Sequence, residues 1–184
     1  HSCAGSIHFV CMDWRHMREL LRAGELVYNE HKNLIVWDKG TGGMGTFYRS
    51  QHELIFVFKK GGAPHVNSFG LGEHGRYRTN VWRFAGVSSF GEGRDAALAM
   101  HPTVKPAAMI ADAIRDVSRR DEIVLDLFAG SGSTLIAAEM TGRRAHVCEL
   151  DPGYCDVILA RWETYTNQKA ERITCGWPRL GEAA

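Results

Sequence analysis

Residues 122–150 have the sequence EIVLDLFAGSGSTLIAAEMTGRRAHVCEL, and this stretch decides the fold class. The apolar run at 122–128 predicts a buried strand, and the glycines after it predict a tight turn into a helix that includes Ile136. A second apolar run at 145–150 predicts the next strand. Strand, glycine loop, helix and strand in this order are typical of an α/β protein.

The glycine loop favours binding of a nucleoside rather than a phosphate. Gly130 and Gly132 let a ligand approach the backbone, but no Gly-Lys-Ser/Thr follows, and Leu135 stands where a dinucleotide loop has its third glycine. Glu149 closes the next strand 17 residues after Gly132, where a carboxylate can accept hydrogen bonds from both ribose hydroxyls. The alternative is a tight turn without a ligand, followed by an ordinary acid at a strand end.

Asp126 lies on the strand just before the loop. A buried carboxylate there needs backbone donors or a cationic ligand group to offset its lost hydration. An α-amino group is such a cation. A ligand with an amino acid end, a nucleoside end and no phosphates is S-adenosylmethionine.

The rest of the chain supplies further elements of an α/β fold. Strands are predicted at 6–12, 33–37 and 53–58, and the last two are expected to pair antiparallel across a glycine-rich excursion. A helix follows the first strand with Gly24 as its stop, another begins at Pro106, and a third begins at Asp151-Pro152. Residues 59–100 show little periodicity apart from a short apolar string at 81–84, and they predict an irregular insert or a small subdomain.

Several of these strings occur together in a known family. LDLFAGSGST, followed by CELDP, resembles motifs I and II of the S-adenosylmethionine-dependent DNA methyltransferases that modify exocyclic amino groups. HPTVKP at 101–106 resembles their motif X, residues 6–13 resemble motif V, and residues 37–53 resemble the hairpin with motifs VI to VIII. The order, with the catalytic half before the cofactor half, is similar to the beta class of these enzymes.

The resemblance implies one methyltransferase domain over residues 1–184, with a doubly wound mixed sheet of the Rossmann-like type in circular order, N-terminally incomplete. Its expected parts are catalytic-half strands and hairpin at 1–60, the insert as target-recognition region at 61–100, the cofactor half at 101–170 and a tail at 171–184. The expected cofactor contacts are Asp126, Phe128, Ala129, Gly130, Ser131, Gly132, Ser133, Thr134, Glu149, Leu150, Asp151, Pro102, Thr103 and Lys105.

Charge and aromatic residues point to DNA as the partner. The stretch 39–83 has seven Lys and Arg against two acids, although the whole chain has a net charge of only +1. Basic residues with interleaved aromatics suit phosphate contacts and stacking on an extruded base of double-stranded DNA. The candidates are Lys39, Phe47, Tyr48, Arg49, Arg76, Arg78 and Arg83, whereas Trp37 and Phe58 are expected in the core.

The catalytic tetrapeptide of the resembled family, Asp/Asn/Ser-Pro-Pro-aromatic, is not in this sequence, because none of its five prolines are adjacent. In the beta-class order it is expected upstream of His1, so no catalytic residue is assigned and the chain as printed is expected to be inactive. The missing Met at position 1 favours truncation. The alternatives are a catalytically silent cofactor- and DNA-binding module, or a nicotinamide-dependent dehydrogenase.

Composition narrows the setting. Five cysteines without a C-x-x-C pair indicate a reduced, cytoplasmic protein, and nine histidines without H-x-x-x-H spacing on a predicted helix give no reason to expect a metal. The longest apolar runs are far shorter than the roughly 20 residues that cross a bilayer, so no membrane partner is expected. The oligomeric state stays open, with a homodimer as one option.

Overall fold

The computed structural model describes residues 2–68, 78–86 and 104–173. These residues form six strands and four helices. In chain order they are β1 (Ile7–Met12), α1 (Met17–Val27), β2 (Glu30–Gly43), β3 (Ser50–Lys59), β4 (Val81–Arg83), α2 (Ala107–Val117), β5 (Ile123–Asp126), α3 (Ser133–Thr141), β6 (Arg144–Val147) and α4 (Pro152–Thr166). Among these helices, none has the length and apolar character needed to cross a membrane.

The first sheet has the strand order β1-β3-β2-β4. β3 pairs antiparallel with β1 and with β2, which confirms the antiparallel neighbours predicted around the glycine-rich excursion. The expectation of a wholly irregular insert is wrong at residues 81–83. They form β4, which pairs parallel with β2 through Trp37 and Trp82, because the buried Trp82 side chain joins the core beneath the sheet.

The helix α1 covers one face of this sheet. Leu54, Phe56 and Phe58 of β3 point toward it and are buried. The prediction that Gly24 ends the helix is wrong, since α1 continues to Val27. Gly24 is buried within the helix because its missing side chain gives room to Phe58, whose ring would lie 2.8 Å from a Cβ at that position.

The helix α2 covers the opposite face of the first sheet and also reaches the second. Its Met109 and Ala113 pack with Trp37, Ile55 and Trp82. Its other side brings Ala111 and Ile114 against Ala137 of α3, with Val124 of β5 packed alongside. Helices therefore lie on both faces of the sheet layer, as a doubly wound α/β fold requires.

The second sheet consists of β5 and β6, which pair in parallel through a crossover that contains α3. In the described part of the chain, β1 and β5 each pair on one side only, so each is the edge of its sheet. The parallel register places Asp126 beside Val147, which brings the carboxyl ends of both strands to one side of the sheet. The glycine loop and Glu149 begin at this side.

Candidate functional site

The glycine loop connects β5 to α3 in a conformation that requires glycine. Gly130 and Gly132 have φ angles of 54° and 80°, in the left-handed region that disfavours side chains. Gly132 is also packed against Ile158 of α4, whose side-chain atoms would lie 3.1 to 3.2 Å from an added Cβ. The Gly132 amide donates to the Ala129 carbonyl at 2.8 Å and closes the turn.

Asp126 obtains its hydrogen-bond donors from the loop itself. Its carboxylate accepts from the Phe128 amide at 2.9 Å and from the Thr134 hydroxyl at 2.6 Å. The prediction of a buried strand is wrong here, because Ile123 and Leu125 of β5 are 55% and 47% exposed and Asp126 is only partly buried. The backbone donor and the hydroxyl offset the partial desolvation of its carboxylate. Asp126 is thereby held at the end of β5, at the entrance of the loop.

Glu149 meets the loop from the neighbouring strand. Its Oε2 accepts from the Gly130 amide at 2.7 Å, and its Oε1 accepts from the amides of Leu150 and Asp151 at 2.9 and 3.0 Å. The structure thus brings together the loop and the acid that the sequence pairs at a separation of 17 residues. Three amide donors orient this carboxylate toward the loop.

Two large apolar side chains flank this carboxylate without being covered. Phe128 is 90% exposed and Leu150 is 97% exposed, although each adjoins a residue of the loop or of the acid. Both side chains are therefore accessible to a ligand, although apolar side chains such as Leu26 are equally exposed elsewhere on the molecule. Together with Glu149 they present an apolar and an acidic surface side by side.

The remaining loop side chains support the loop. The hydroxyls of Ser131 and Ser133 are buried and lie near Nη1 of Arg161, at 3.3 and 3.2 Å. Asp151 caps α4, since its Oδ1 accepts from the Gly153 amide at 2.7 Å. Ala129 is buried. These contacts leave the backbone of the loop, rather than these side chains, as the surface that faces a ligand.

Cys11 lies on the edge strand β1 and interacts electrostatically with Lys105, Glu53 and Asp126. It is solvent-exposed, although the surrounding protein still removes part of the hydration of its thiol. This partial loss of hydration raises the pKa of the Cys11 thiol, while the Lys105 charge opposes the shift. Cys11 is therefore held protonated rather than activated as a thiolate.

The hairpin between β2 and β3 ends in two exposed aromatic side chains. Phe47 and Tyr48 are 92% and 78% exposed and meet edge to face with ring centroids 4.5 Å apart. Phe47 has a φ angle of 67°, which is uncommon for a non-glycine residue. Arg49 follows them and is also exposed. We call residues 44–49 the aromatic tip.

Lys39 and Arg83 line one open groove of about 310 Å³, formed by residues 38–41 and 83–85. Lys39 lies 3.5 Å from a carboxylate oxygen of Glu53, and Arg83 lies 3.9 Å from one of Asp38. The Arg83 side chain is 85% exposed, so its guanidinium remains accessible to a further anion. The structure brings together two basic candidates that lie 44 positions apart in the sequence.

Arg78 is placed differently from the expected DNA contact. Its guanidinium donates to Asp112 at 3.1 Å and to Asp116 at 3.0 Å, and it lies over the Trp82 ring at 4.9 Å. The side chain is only 17% exposed. These contacts favour a structural tie to α2 because two carboxylates already neutralise the guanidinium. The expected DNA contact Arg76 and the expected cofactor contacts Pro102 and Thr103 lie outside the described residues.

Two arginines that the sequence did not single out are tied to these features. Arg161 of α4 contacts the glycine loop, and Arg15, in the turn after β1, donates to the Thr46 hydroxyl of the aromatic tip at 2.7 Å. Arg15 stands at the end of the string that resembles motif V, and Arg161 belongs to none of the motif-like strings. Each bond joins residues about 30 positions apart, so periodicity carries no signal for the contact. Among the residues described, no three His, Cys, Asp or Glu side chains are grouped to hold a metal.

The fold and the loop with its acid define a Rossmann-like α/β protein. A family model described as DNA methylase matches residues 4–160, and the chain therefore belongs to this N6/N4 DNA methylase family. The resemblance found in the motifs is thus confirmed at the level of the family.

Relatives and solved structures agree with this assignment. The chain is 34% identical over 89 residues to the type II methyltransferase M.ScaI of Streptomyces caespitosus, covering 48% of this chain and 29% of that protein. It is 32% identical over 124 residues to the DNA adenine methyltransferase YhdJ of Escherichia coli K12, covering 67% of this chain and 38% of that protein. The chain thus spans well under half the length of these two relatives.

The fold is shared with solved structures. A complex of M1.HpyAVI with SAM superposes with a TM-score of 0.71 at 21% identity, over 87% of this chain and 76% of that one. The cytosine-N4-specific PvuII DNA methyltransferase gives a TM-score of 0.62 at 19% identity, over 83% of this chain and 60% of that one. These similarities confirm the Rossmann-like methyltransferase fold class.

Proposed function

We propose that this chain provides the cofactor-binding and DNA-contacting parts of an S-adenosylmethionine-dependent DNA methyltransferase that modifies an exocyclic amino group, N6 of adenine or N4 of cytosine. The observation that carries the proposal is the Glu149 carboxylate held 2.7 Å from the Gly130 amide, at the end of the strand that follows the glycine loop. Family membership adds the reaction class.

The residues at this side of the sheet fit S-adenosylmethionine by their chemistry. Glu149 suits the ribose hydroxyls, and the exposed Phe128 and Leu150 suit the faces of an adenine ring. Asp126 supplies the negative charge that an α-ammonium group requires, and Lys105 supplies the positive charge that suits the carboxylate of the same methionine end. Backbone near Pro102 and Thr103 completes the expected set.

DNA would approach across the aromatic tip and the groove beside it. Phe47 and Tyr48 offer exposed ring faces on which an extruded base of double-stranded DNA can stack. Lys39, Arg49 and Arg83 would contact phosphates, which fix position without reading the sequence. Arg76 is kept as a further phosphate contact.

The chemistry would be direct transfer, in which the target nitrogen attacks the methyl carbon in line while the bond from that carbon to sulfur breaks. S-adenosylhomocysteine would be the leaving group, and the amino nitrogen would give up one proton. When bound, the cofactor supplies a methyl group made electrophilic by a sulfonium charge. The protein's part is positioning, without a covalent intermediate, in agreement with the protonated Cys11 thiol beside the site.

Transfer also requires acceptors for the hydrogens of the target amino group. The 184 residues contain no Pro-Pro-aromatic tetrapeptide that would supply them. A strand carrying such a loop could pair with an unpaired strand edge, such as that of β1 or β5, at the usual spacing of about 4.8 Å. The 184 residues should therefore bind cofactor and DNA without transferring methyl groups. We place the protein in the cytoplasm, where its cysteines would stay reduced.

Ligand-dependent thermal stabilisation tests the assignment. S-adenosylmethionine and S-adenosylhomocysteine should each raise the melting temperature, because a ligand that binds only the folded state stabilises it by mass action. NAD should not. Stabilisation by NAD alone would favour the dehydrogenase alternative, and Glu149→Ala should remove the shift if the carboxylate holds the ribose.

A second experiment separates an enzyme from a silent module. A separate peptide or fused segment with a strand and an Asn-Pro-Pro-Tyr loop should restore transfer of labelled methyl groups to DNA. Cofactor binding with no transfer in any such combination would favour the silent module.

A further inference from the structure

The side of the glycine loop away from Glu149 is held by a cation. Nη1 of Arg161 donates to the Ser131 carbonyl at 3.0 Å and lies 3.3 and 3.2 Å from the hydroxyls of Ser131 and Ser133. Both serines are buried, at 4% and 6% exposure. The contact therefore joins the interior of the loop to α4.

The cation is partly desolvated and has no acid to neutralise it. Desolvation lowers the pKa of the Arg161 guanidinium, with no charged neighbour contributing to the shift. Over residues 2–68, 78–86 and 104–173, no carboxylate forms an ion pair with it, whereas Arg78 has two. Placing a charge in this setting costs free energy that loop oxygens offset only while they keep their positions.

The bond acts at a peptide beside one of the two left-handed glycines of the loop. A donor on the Ser131 carbonyl fixes the plane of the Ser131–Gly132 peptide, directly before Gly132. Ile158, one helical turn before Arg161 on α4, packs so closely against Gly132 that a Cβ there would lie 3.1 Å from its side chain. One face of α4 thus holds the loop by packing and by hydrogen bonding.

We propose that Arg161 is a positioning residue for S-adenosylmethionine, which keeps the glycine loop in the conformation that presents its backbone and Glu149 to the cofactor. The inference rests on the proposed cofactor site. Arg161 acts through the loop and does not touch the ligand. The rival role is a tie between α4 and α3 that stabilises the fold without affecting the loop.

Calorimetric titration of S-adenosylhomocysteine into the full chain distinguishes the two roles. Arg161→Ala should weaken binding by about tenfold, because a loop released from this hydrogen bond must be ordered again when the ligand binds. Arg161→Lys, which keeps the charge but not the fork of donors, should weaken it less. Lys169→Ala is the matched control. It removes an exposed cation that follows α4 and pairs with Glu163 of that helix at 2.8 Å.

Amide hydrogen exchange of the unliganded protein supplies a readout that does not depend on binding. Exchange in the peptide that covers 129–134 should speed up in Arg161→Lys and stay unchanged in Lys169→Ala. A lower melting temperature with unchanged affinity and unchanged loop exchange would overturn the proposal in favour of the structural tie. Failure of the wild-type chain to bind would overturn the cofactor site and this role with it, while faster loop exchange alone would still show that Arg161 holds the loop.

Discussion

The Arg15 guanidinium donates to the Thr46 hydroxyl at 2.7 Å, and the same guanidinium lies 5.1 Å from the centre of the Trp14 ring. The Asp13 carboxylate shapes this turn by accepting from the Arg15 amide at 2.7 Å. The turn after β1 is thereby joined to the aromatic tip, immediately before Phe47. If the aromatic tip binds an extruded base, this hydrogen bond fixes the position of the Phe47 and Tyr48 rings on which the base would stack.

We predict that Thr46→Val weakens stacking of a single-stranded oligonucleotide that contains 2-aminopurine. Losing one exposed hydrogen bond to a charged group should cost about 1 kcal/mol, or roughly fivefold in apparent affinity. Quenching of the 2-aminopurine fluorescence measures it. Thr46→Ser should retain wild-type quenching, and Thr164→Val, on α4, is the control. The salt slope is the change in the logarithm of DNA affinity with the logarithm of salt concentration. If Arg15→Ala lowers this slope while Thr46→Val leaves the quenching unchanged, Arg15 contacts phosphate directly.

Glu149→Gln and Glu149→Ala should both weaken binding of S-adenosylhomocysteine, the alanine variant by about tenfold or more. The carboxylate is held by three amides, and a charged acceptor strengthens bonds to ribose hydroxyls. Calorimetry gives the dissociation constants. Glu122→Gln is a suitable control, because its carboxylate binds the Arg119 amide near the opposite end of β5. Equal affinity in all three variants would remove Glu149 from the site.

Charge reversal at Arg83 and Arg78 should have opposite consequences. Arg83→Glu should leave folding intact, weaken DNA binding and reduce the salt slope by about one, because each phosphate contact releases roughly 0.9 counterion. Arg78→Glu should instead destabilise the protein, since it places a third carboxylate against Asp112 and Asp116. Fluorescence anisotropy at several salt concentrations and urea unfolding measure the two effects. A folded Arg78→Glu protein with reduced DNA affinity would restore Arg78 as a DNA contact.

Gly24→Ala should lower the free energy of unfolding by about 1–2 kcal/mol. Alanine improves helix propensity by about 1 kcal/mol, but a Cβ 2.8 Å from the Phe58 ring overpacks the core by more than that. Urea unfolding measures the difference. Gly62→Ala is the matched control, because nothing lies within 4 Å of a Cβ there. A stabilised Gly24→Ala protein would show that α1 can move away from β3.

Stability should fall as the pH drops below about 6.5, and His8 should account for part of the loss. Desolvation, with the charge of Lys60, lowers the pKa of His8 in the folded protein. The unfolded chain therefore binds a proton at a higher pH than the folded one, so the stabilisation is complete above the ordinary pKa and lost below it.

Urea unfolding at a series of pH values should show a shallower acid loss in His8→Gln. The loss should not vanish, because desolvation also lowers the pKa of His65. An unaltered profile in His8→Gln would contradict the assignment to His8.

The glycine loop and its acid were predictable because their geometry is local. In a parallel strand-helix-strand unit, the carboxyl ends of the two strands lie side by side. The loop after the first strand must therefore meet an acid at the end of the second, and Glu149 lies there. Arg161 and Arg15 were not predictable, since their partners are fixed only by how α4 and the turn after β1 pack. The prediction that Gly24 ends α1 was wrong for a related reason. A glycine that ends a helix cannot be told from sequence apart from one that leaves space for a neighbouring ring.

The helix α2 packs on both sheets at once, through Met109 and Ala113 on one and through Ala111 and Ile114 on the other. The two halves thus recognise each other through side chains of this helix, and no hydrogen-bonded strand pair joins them within the described residues. Packing of this kind does not depend on the order in which the two halves follow each other along the chain. Circular permutants that keep α2 intact should therefore assemble the same architecture.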